Sequence, residues 1–259
     1  MAQKKKEQAT VMMQQEIAPG IYDCLIRTDL APESAPGQFI AVYPKDKSTL
    51  LPRPISICEV NKEEGTLRIV YRVAGKGTAE FSGYRAGDTM DILGVLGNGF
   101  PLDKVNKEQT AFLMGGGIGV PPILELAKQL DCNKKIIVGY RDSSCFLRED
   151  FEKNGDLYIA TEDGSVGTAG NVMDAIRENA LKADIIYACG PMPMLRAIKA
   201  YALEADIPAY ISLEERMACG VGACLGCVCT TKDVDAHSHV HNARICTDGP
   251  VFEAREVEI

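Results

Sequence analysis

The hydrophobic pattern of the first hundred residues predicts β-structure. Between residues 11 and 103, short apolar runs rich in β-branched and aromatic residues are separated by turns that contain Pro and Gly. Such runs occupy residues 37–43, 66–73 and 88–93. Because several strand-like runs occur without a long helical period, the pattern predicts an antiparallel barrel or sandwich.

From residue 109 onward, apolar runs alternate with stretches of helical period. The strand-like runs are residues 110–114, 135–140, 157–160, 184–188 and 209–213, and the helical stretches are residues 122–130, 171–179 and 193–205. This alternation is typical of a doubly wound parallel sheet with helices on its faces. We therefore predict a multi-domain β plus α/β protein, with an antiparallel β-barrel in residues 1–104 and an α/β domain in residues 105–213.

The remaining residues, 214–259, form a tail that is rich in glycine and cysteine. The tail is too short to bury a self-sufficient apolar core, so we expect a bound metal to organise it as a third, small domain. The whole chain has 46% hydrophobic and 25% charged residues, which is an ordinary globular composition and argues against wholesale disorder.

The charge balance bears on the kind of partner. The chain carries 28 Lys and Arg against 36 Asp and Glu, a net charge of −8 that repels nucleic acid and anionic lipid. Apolar stretches long enough to span a bilayer are missing from the sequence, since residues 111–127 are interrupted by four glycines and two prolines. The lysines at positions 4–6 precede polar residues rather than the apolar core of a signal peptide. We expect a cytoplasmic protein that binds neither nucleic acid nor membranes.

Ten cysteines in a chain without an export signal are expected to stay reduced, so a cluster of them indicates metal. Five lie in the last 41 residues, and four of these have the spacing Cys219-x4-Cys224-x2-Cys227, with Cys246 after 18 further residues. This is the plant-type spacing of a [2Fe–2S] cluster, in which four thiolates hold two irons. The intervening glycines supply bare backbone N–H donors and the unusual dihedral angles that a tight loop around sulfide needs.

Other roles for the cysteines and histidines of the tail stay open. A zinc site with four cysteines usually pairs one C-x2-C with a second, which is missing here, so the iron–sulfur interpretation is favoured. Cys229 competes as a ligand, although its strand-like spacing favours a bystander. His237, His239 and His241 alternate, and we interpret them as a solvated hairpin face rather than as metal ligands.

A glycine-rich turn follows the predicted strand at residues 110–114. Its sequence is Gly115-Gly-Gly-Ile-Gly119, and small residues there let the backbone approach a pyrophosphate at the start of the next helix. The last small residue of the dinucleotide fingerprint is replaced by Val120, so a plain tight turn is the alternative. A second turn, Cys189-Gly-Pro-Met192, ends a later strand at the sheet edge where open α/β folds bind ligands.

The barrel segment holds a weaker candidate, Arg53-Pro-Ile-Ser56, followed by Tyr71-Arg-Val73 and Gly75-Lys-Gly-Thr78. An arginine fork binds phosphate, and a serine hydroxyl bonds to the polar edge of a ring. A buried turn with a surface arginine is the alternative interpretation.

The order of these parts is more specific than any one of them. In chain order the parts are Arg53-Pro-Ile-Ser56, residues 94–100, residues 115–122 and Cys189-Gly-Pro-Met192. Together they resemble the ferredoxin–NADP reductase superfamily of flavoproteins over about residues 11–213. The cysteine-rich block at 214–229 and the ending at 244–252 make the chain similar, nearly end to end, to the electron-transfer subunits of class 1B dihydroorotate dehydrogenases.

The resemblance implies three cofactors, FAD, NAD and a [2Fe–2S] cluster. FAD would lie in the barrel against Arg53, Pro54, Ile55, Ser56, Val70, Tyr71, Arg72, Gly77 and Thr78. NAD would bind the α/β domain at Gly115, Gly116, Gly117, Gly119, Cys189, Gly190, Pro191 and Met192. The cluster ligands would be Cys219, Cys224, Cys227 and Cys246.

The resemblance also implies a partner. This is an FMN-containing catalytic subunit that oxidises dihydroorotate to orotate in pyrimidine biosynthesis, in a heterotetramer of two plus two. Electrons would pass from FMN through the cluster and FAD to NAD+, since only a flavin converts between a two-electron hydride and the single electrons of the cluster. A catalytic acid or base is then not expected in this chain.

Two other functions are weighed against this one. The first is the FAD and [2Fe–2S] subunit of an electron-bifurcating or sulfur-reducing NAD(P)H oxidoreductase, against which the sequence of the tail argues. The second is a non-catalytic, zinc-stabilised binding module. The sequence does not decide between NADH and NADPH, because Arg141 would favour a 2′-phosphate and its neighbour Asp142 a free ribose hydroxyl. The preference for NAD therefore rests on the resemblance.

Overall fold

The computed structural model describes residues 4–234 and 239–259. Its first part is a closed antiparallel barrel with a short helix, α1 (Lys76–Phe81), beside the strands. The strands are β1 (Lys5–Ala18), β2 (Ile21–Arg27), β3 (Phe39–Tyr43), β4 (Arg53–Asn61), β5 (Thr66–Arg72) and β6 (Thr89–Leu96). They close in the order β1-β2-β5-β4-β3-β6.

Alternating side chains and backbone pairing together build the barrel. Inward-facing residues such as Ile26, Leu67 and Ile69 are fully buried in one core. The strand β1 begins at Lys5, before the first apolar run. Its polar first half is held by pairing with β6, from Lys5 opposite Gly94 onward, so the backbone hydrogen bonds extend the strand where apolar burial does not.

The second part, the α/β unit, alternates strands and helices. Its strands are β7 (Thr110–Gly116), β8 (Asn133–Tyr140), β9 (Asp156–Thr161), β10 (Thr168–Ala169), β11 (Ile185–Cys189) and β12 (Ala209–Ser212), and its helices are α2 (Pro121–Gln129), α3 (Arg148–Glu152), α4 (Val172–Glu178) and α5 (Met192–Glu204). These strands are parallel, in the order β10-β9-β8-β7-β11-β12. Phe112 and Leu113 point to opposite faces and lie in different buried clusters, because helices cover both faces of the sheet. The predicted doubly wound sheet is confirmed.

The tail contributes β13 (Val228–Thr230), β14 (Asn242–Arg244) and β15 (Val251–Glu253). The strands β13 and β14 pair with each other, whereas β15 joins the α/β sheet antiparallel to β12. Cys227, Ile245 and Phe252 are buried in the same cluster as residues of α5 and β12. The length of the tail predicts that a metal organises it, but its apolar residues also share the core of the α/β unit.

Within the described part of the chain, no helix is both long enough and apolar enough to cross a bilayer. The helix α5 has 13 residues, whereas a spanning helix needs about 20.

Candidate functional site

The two glycine turns of the α/β unit, after β7 and after β11, lie side by side. Gly115 at the end of β7 pairs with Cys189 at the end of β11. The chain then makes a single 3-10 turn, Gly117–Gly119, before α2. A Cβ atom on Gly119 would lie 2.5 Å from the carbonyl carbon of Cys189, so only glycine permits this approach. The turns form one surface at the sheet edge where open α/β folds bind ligands.

Replacing Gly119 by alanine is expected to push these turns apart. The added methyl group meets backbone atoms rather than a flexible side chain, so we expect a loss of stability of about 1–3 kcal/mol and weaker binding of NADH. Thermal unfolding and titration with NADH measure the two effects. Gly83→Ala is the control, since its Cβ would lie 3.3 Å from the carbonyl oxygen of Glu80 in the barrel. An NADH affinity equal to that of the parent would contradict this role of the turn.

The thiol of Cys189 faces residues that the sequence patterns do not single out. Burial raises the pKa of Cys189 to about 12, although a hydrogen bond with Ser212 lowers it, and the charge of Glu214 raises it further. The thiol is therefore uncharged at neutral pH. Ser212 is the last residue of β12, and Glu214 follows two residues later. Their position at the carboxyl end of a predicted strand is the sequence signal that could have identified them, because the carboxyl ends of parallel strands meet at one edge.

On the barrel, the structure brings Arg53 and the loop before α1 together. Arg53 begins β4, and its Nη1 donates to the carbonyl oxygen of Leu51 at 2.6 Å. Its Nε lies 2.9 Å from the position that a Cβ on Gly77 would occupy. A guanidinium held over a bare glycine backbone presents the forked donors that suit a phosphate group.

The side-chain hydroxyls of Tyr71 and Thr78 both have partners within the chain. The hydroxyl of Tyr71 donates to Oε1 of Gln14 at 2.9 Å, and its ring lies in the barrel core. The hydroxyl of Thr78 accepts from the N–H groups of Ala74 and Gly75 at 2.9 and 3.2 Å. Thr78 therefore holds the backbone of the loop before α1, whereas Tyr71 holds the side chain of Gln14.

The other predicted flavin residues alternate along β4 and β5. Ile55 is buried in the barrel core, and the half-buried Pro54 and Ser56 flank it on the other face of β4. Val70 is buried in the cluster that contains α2. The start of β4 and the end of β5 are therefore accessible to a ligand, whereas α2 covers the outer face of β4 from Cys58 onward.

Arg72, the last residue of β5, joins the barrel to the α/β unit. Its side chain is exposed, and its Nη2 lies 3.3 Å from the position that a Cβ on Gly117 would occupy. Gly117 has a φ of +54°, which favours glycine. One of the predicted FAD residues, Arg72, therefore lies next to the predicted NAD turn.

The four predicted ligand cysteines are arranged as two pairs. The thiol of Cys219 interacts with that of Cys224, and the thiol of Cys227 with that of Cys246. In residues 4–234 and 239–259, no three His, Cys, Asp or Glu side chains are grouped so as to hold a single metal ion. A [2Fe–2S] cluster is held by four thiolates shared between two irons, and these two neighbouring pairs of thiols suit that ligand set.

Backbone donors surround the first pair. The Sγ atom of Cys219 accepts from the N–H groups of Val221 and Cys224 at 3.4 Å, and that of Cys224 accepts from the N–H of Gly226 at 3.4 Å. Burial acts to raise the pKa of Cys219, but these donors outweigh it and lower the pKa to about 6. The loop thus stabilises the thiolate, which is the form that binds iron.

The ligand loops are fastened to the barrel at the end of β6. The side-chain amide of Asn98 donates to the carbonyl oxygens of Thr247 and Asp248 at 3.1 and 3.0 Å. The Cδ1 atom of Leu96 lies 3.1 Å from the position that a Cβ on Gly220 would occupy. A residue of the first ligand loop and the two residues after Cys246 therefore contact the same end of one barrel strand.

An ion pair connects the two ends of the second ligand loop, which holds Cys246. The guanidinium of Arg244 bonds to both carboxylate oxygens of Asp248, at 2.9 and 3.0 Å, across the loop that holds Cys246. The sequence patterns do not identify this ion pair. The signal that could have identified it is that an arginine and an aspartate, four residues apart, flank the predicted ligand Cys246. The sequence patterns also miss Asn98, whose partners are about 150 residues away in the chain.

The remaining candidates of the tail lie beside the ligand pairs. Cys229 is half-buried in β13, opposite Ala243, and burial raises its pKa to about 11. His239 and His241 are exposed, and Nδ1 of His241 lies 2.8 Å from the carbonyl oxygen of Lys232. His237 lies outside the described residues. The interpretation of Cys229 as a bystander, and of the histidines as a hairpin face, stays a prediction.

Comparison with known proteins identifies relatives of the whole chain. Residues 214–258 match the family described as the iron-sulfur cluster binding domain of dihydroorotate dehydrogenase B. The dihydroorotate dehydrogenase B (NAD(+)) electron transfer subunit of Geobacillus sp. (strain WCH70) is 45% identical, over 98% of this chain and 98% of that protein. The protein of the same name from Streptococcus mutans is 42% identical, over 97% and 98%.

Solved structures extend the likeness to the fold. A structure of an NADH-dependent reduced ferredoxin-NADP oxidoreductase, described in terms of flavin-based electron bifurcation, has a TM-score of 0.84 at 30% identity and covers 96% of this chain and 89% of that one. A ferredoxin NADP+ reductase from Neisseria gonorrhoeae shares the fold, with a TM-score of 0.65 at 15% identity, over 83% and 95% of the two chains. The predicted fold class is confirmed. By its end-to-end similarity, the chain belongs to the family of dihydroorotate dehydrogenase B (NAD(+)) electron transfer subunits.

Proposed function

We propose that the chain is the electron transfer subunit of a dihydroorotate dehydrogenase that reduces NAD+ in pyrimidine biosynthesis. The observation that carries the proposal is the spatial order of the three candidate sites. The barrel contacts the glycine turn through Arg72 and the ligand loops through Leu96 and Asn98. A flavin in the barrel would lie between NAD and the iron–sulfur cluster, which is the order that electron transfer requires.

The residues of this chain bind and orient the cofactors. Bound FAD would exchange a hydride with NAD and single electrons with the cluster. Arg53 would hold a phosphate of the flavin, the turn at Gly117–Gly119 would admit the dinucleotide, and the four cysteines would ligate the irons. We expect no catalytic acid or base in this chain, since its task is to fix the relative positions of the redox centres.

We propose that an FMN-containing catalytic subunit binds over the predicted cluster. Cys224 is the exposed member of the ligand set, and Val221 and Leu225 beside it are 40% and 54% exposed. Adjoining exposed apolar side chains mark a surface that binds another protein. We further propose a heterotetramer of two plus two that works in the cytoplasm, where the ten free cysteines would stay reduced.

We propose an FAD domain in residues 1–104, an NAD domain in residues 105–213 and a [2Fe–2S] domain in residues 214–259. We also propose that NAD is preferred to NADP. Hydrogen bonds from Ser144 lower the pKa of Asp142, which follows β8. Its negative charge would repel the 2′-phosphate of NADP and favour the free ribose hydroxyl of NAD.

Activity assays on the chain purified with its cofactors test the proposal. The chain alone should reduce ferricyanide with NADH and should not turn over dihydroorotate. Addition of the FMN-containing subunit should produce reduction of NAD+ that depends on dihydroorotate. Oxidation of dihydroorotate by the isolated chain, or failure to oxidise NADH, would contradict the proposal.

The likeness to the NADH-dependent reduced ferredoxin-NADP oxidoreductase favours a second candidate, a subunit of an electron-bifurcating complex. Purification of the chain from native lysate, with its partner attached, distinguishes the two. An FMN-containing partner that oxidises dihydroorotate supports the first function. A partner that couples ferredoxin to NADP+ supports the second.

A further inference from the structure

Arg68 of β5 is the centre of an ion-pair network between the barrel and the α/β unit. Its Nε and Nη2 donate to the two carboxylate oxygens of Asp23 in β2, both at 2.9 Å. Its Nη1 donates to Oε2 of Glu59 in β4 at 3.2 Å and to Oδ2 of Asp150 in α3 at 2.9 Å. The side chains of Arg68 and Asp23 are only 19% and 2% exposed. Residues of the barrel thus hold the mostly buried guanidinium of Arg68 in place, and its Nη1 also bonds to the α/β unit through Asp150.

The helix α2 is held against the same face of the barrel. Nζ of Lys128 lies 2.7 Å from Oε1 of Glu59, the carboxylate that also binds Arg68. One turn earlier, Oε2 of the buried Glu125 accepts from the N–H of Val60 at 2.9 Å. Partly buried charge pairs that share members are screened less by solvent than single surface pairs are. The network therefore restricts movement of α2 and α3 relative to the barrel.

The other end of α2 carries the predicted NAD turn. Lys128 lies in the last turn of α2. At the other end, only Val120 separates the helix from the turn at Gly117–Gly119. On the barrel, Arg72 lies four residues beyond Arg68 on β5 and reaches Gly117. A rigid helix transmits a displacement of its far end to the turn. Ion pairs at one end of α2 and Arg72 at the other therefore add to the apolar packing of α2 against the barrel, in which Cys58 and Val70 are buried, in setting the position of the turn.

We propose that Arg68, Asp150 and the Glu59–Lys128 pair form an interdomain clamp that positions NAD over FAD for hydride transfer. The proposal rests on the proposed function, because the barrel is to hold the flavin and the turn the nicotinamide nucleotide. Hydride transfer needs the reacting atoms about 3–3.5 Å apart, and a misplacement of about 1 Å costs on the order of 100-fold in rate. The clamp residues touch neither cofactor site and act as positioning residues.

The variant Asp150→Asn tests the clamp in the full chain with its cofactors bound. Asp150 is one-third exposed, and Arg68 keeps its ion pairs with Asp23 and Glu59 when the carboxylate of Asp150 is removed. We therefore expect the fold to stay intact. We expect the rate constant for reduction of FAD by saturating NADH to fall about tenfold in stopped-flow measurements. The long-wavelength absorbance of the stacked NADH–FAD pair should weaken, whereas FAD content, iron content and the melting temperature stay those of the parent.

Arg148→Gln is the matched control. It breaks an exposed ion pair with Glu152 on the same helix, at 2.8 Å, that does not involve the barrel. Its rate of FAD reduction should equal that of the parent. Lys128→Met should slow the reaction as Asp150→Asn does, and Lys128→Arg should restore it.

Equal rates of FAD reduction in the parent, Asp150→Asn and Lys128→Met would overturn the clamp. So would a slower rate accompanied by an equal loss of FAD or by slower electron transfer between cluster and FAD, because the residues would then act on stability or on the wrong step. In both cases the parent still oxidises NADH and the proposed function stands. A parent that does not oxidise NADH would overturn the proposed function and the clamp together.

Discussion

The variant Cys224→Ala is expected to lose the [2Fe–2S] cluster and, in the complex, electron transfer from dihydroorotate to NAD+. Alanine offers no ligand atom, and loss of one of four thiolates leaves an iron incomplete. The fall in transfer rate should exceed the roughly 10- to 100-fold that follows loss of a group behind a metal ligand. FAD and most of the NADH–ferricyanide activity should remain, because the dye takes electrons from reduced FAD directly.

Cys229→Ala is the matched control for this variant. Cys229 lies in β13 beside the ligand loops, and its replacement is expected to leave the cluster in place. Visible absorbance and iron content measure the cluster, and size-exclusion chromatography checks that each variant still binds the catalytic subunit. A parent-like rate of electron transfer in an intact complex without the cluster would show that the electrons take another route.

The variant Arg53→Ala is expected to release FAD while the iron content stays unchanged. Arg53 is held over the loop at Gly77, and its removal takes away a charge-assisted hydrogen bond to phosphate. Such bonds contribute about 1.5–3 kcal/mol, so the dissociation constant of FAD should rise about 10- to 100-fold. Fluorescence of released flavin during dilution measures the change.

Arg27→Ala provides the comparison for Arg53→Ala. Arg27 is an exposed arginine of the same barrel, opposite Thr66 on β5, whereas Arg72 lies at the other end of that strand. Its removal takes away one positive charge, as Arg53→Ala does, and should not change FAD binding. Equal loss of FAD from both variants, or equal loss of FAD and iron from Arg53→Ala, would mean that the flavin site lies elsewhere.

The sequence predicts those strands whose residues are apolar in a regular pattern. Residues 37–43, 66–73 and 88–93 correspond to β3, β5 and β6, and the alternation after residue 109 gives the parallel sheet. The pattern does not predict β4, which opens with Arg53 and a proline, because proline is usually excluded from strands except near their ends. Nor does it predict the polar start of β1, where pairing with β6 replaces burial.

Some residues of the candidate site can likewise be identified from the sequence, and others cannot. The ligand cysteines are recognisable because three of them lie within nine residues, so that their spacing alone fixes a local geometry. The contacts of Arg68 with Asp150, and of Asn98 with Asp248, join residues 82 and 150 positions apart. Such pairs depend on how the barrel and the sheet pack together, and neither partner carries a local pattern that would identify it.

The strand β15 has a consequence for how the chain is made. It pairs with β12 through Ile211 and Phe252, so a strand that is synthesised after the whole parallel sheet covers one of its outer edges. Until these residues leave the ribosome, β12 presents unpaired backbone groups next to apolar side chains, and exposed edges of this kind recruit other chains into aggregates. We therefore expect β15, which follows the predicted ligand cysteines, to protect the nascent protein from self-association as well.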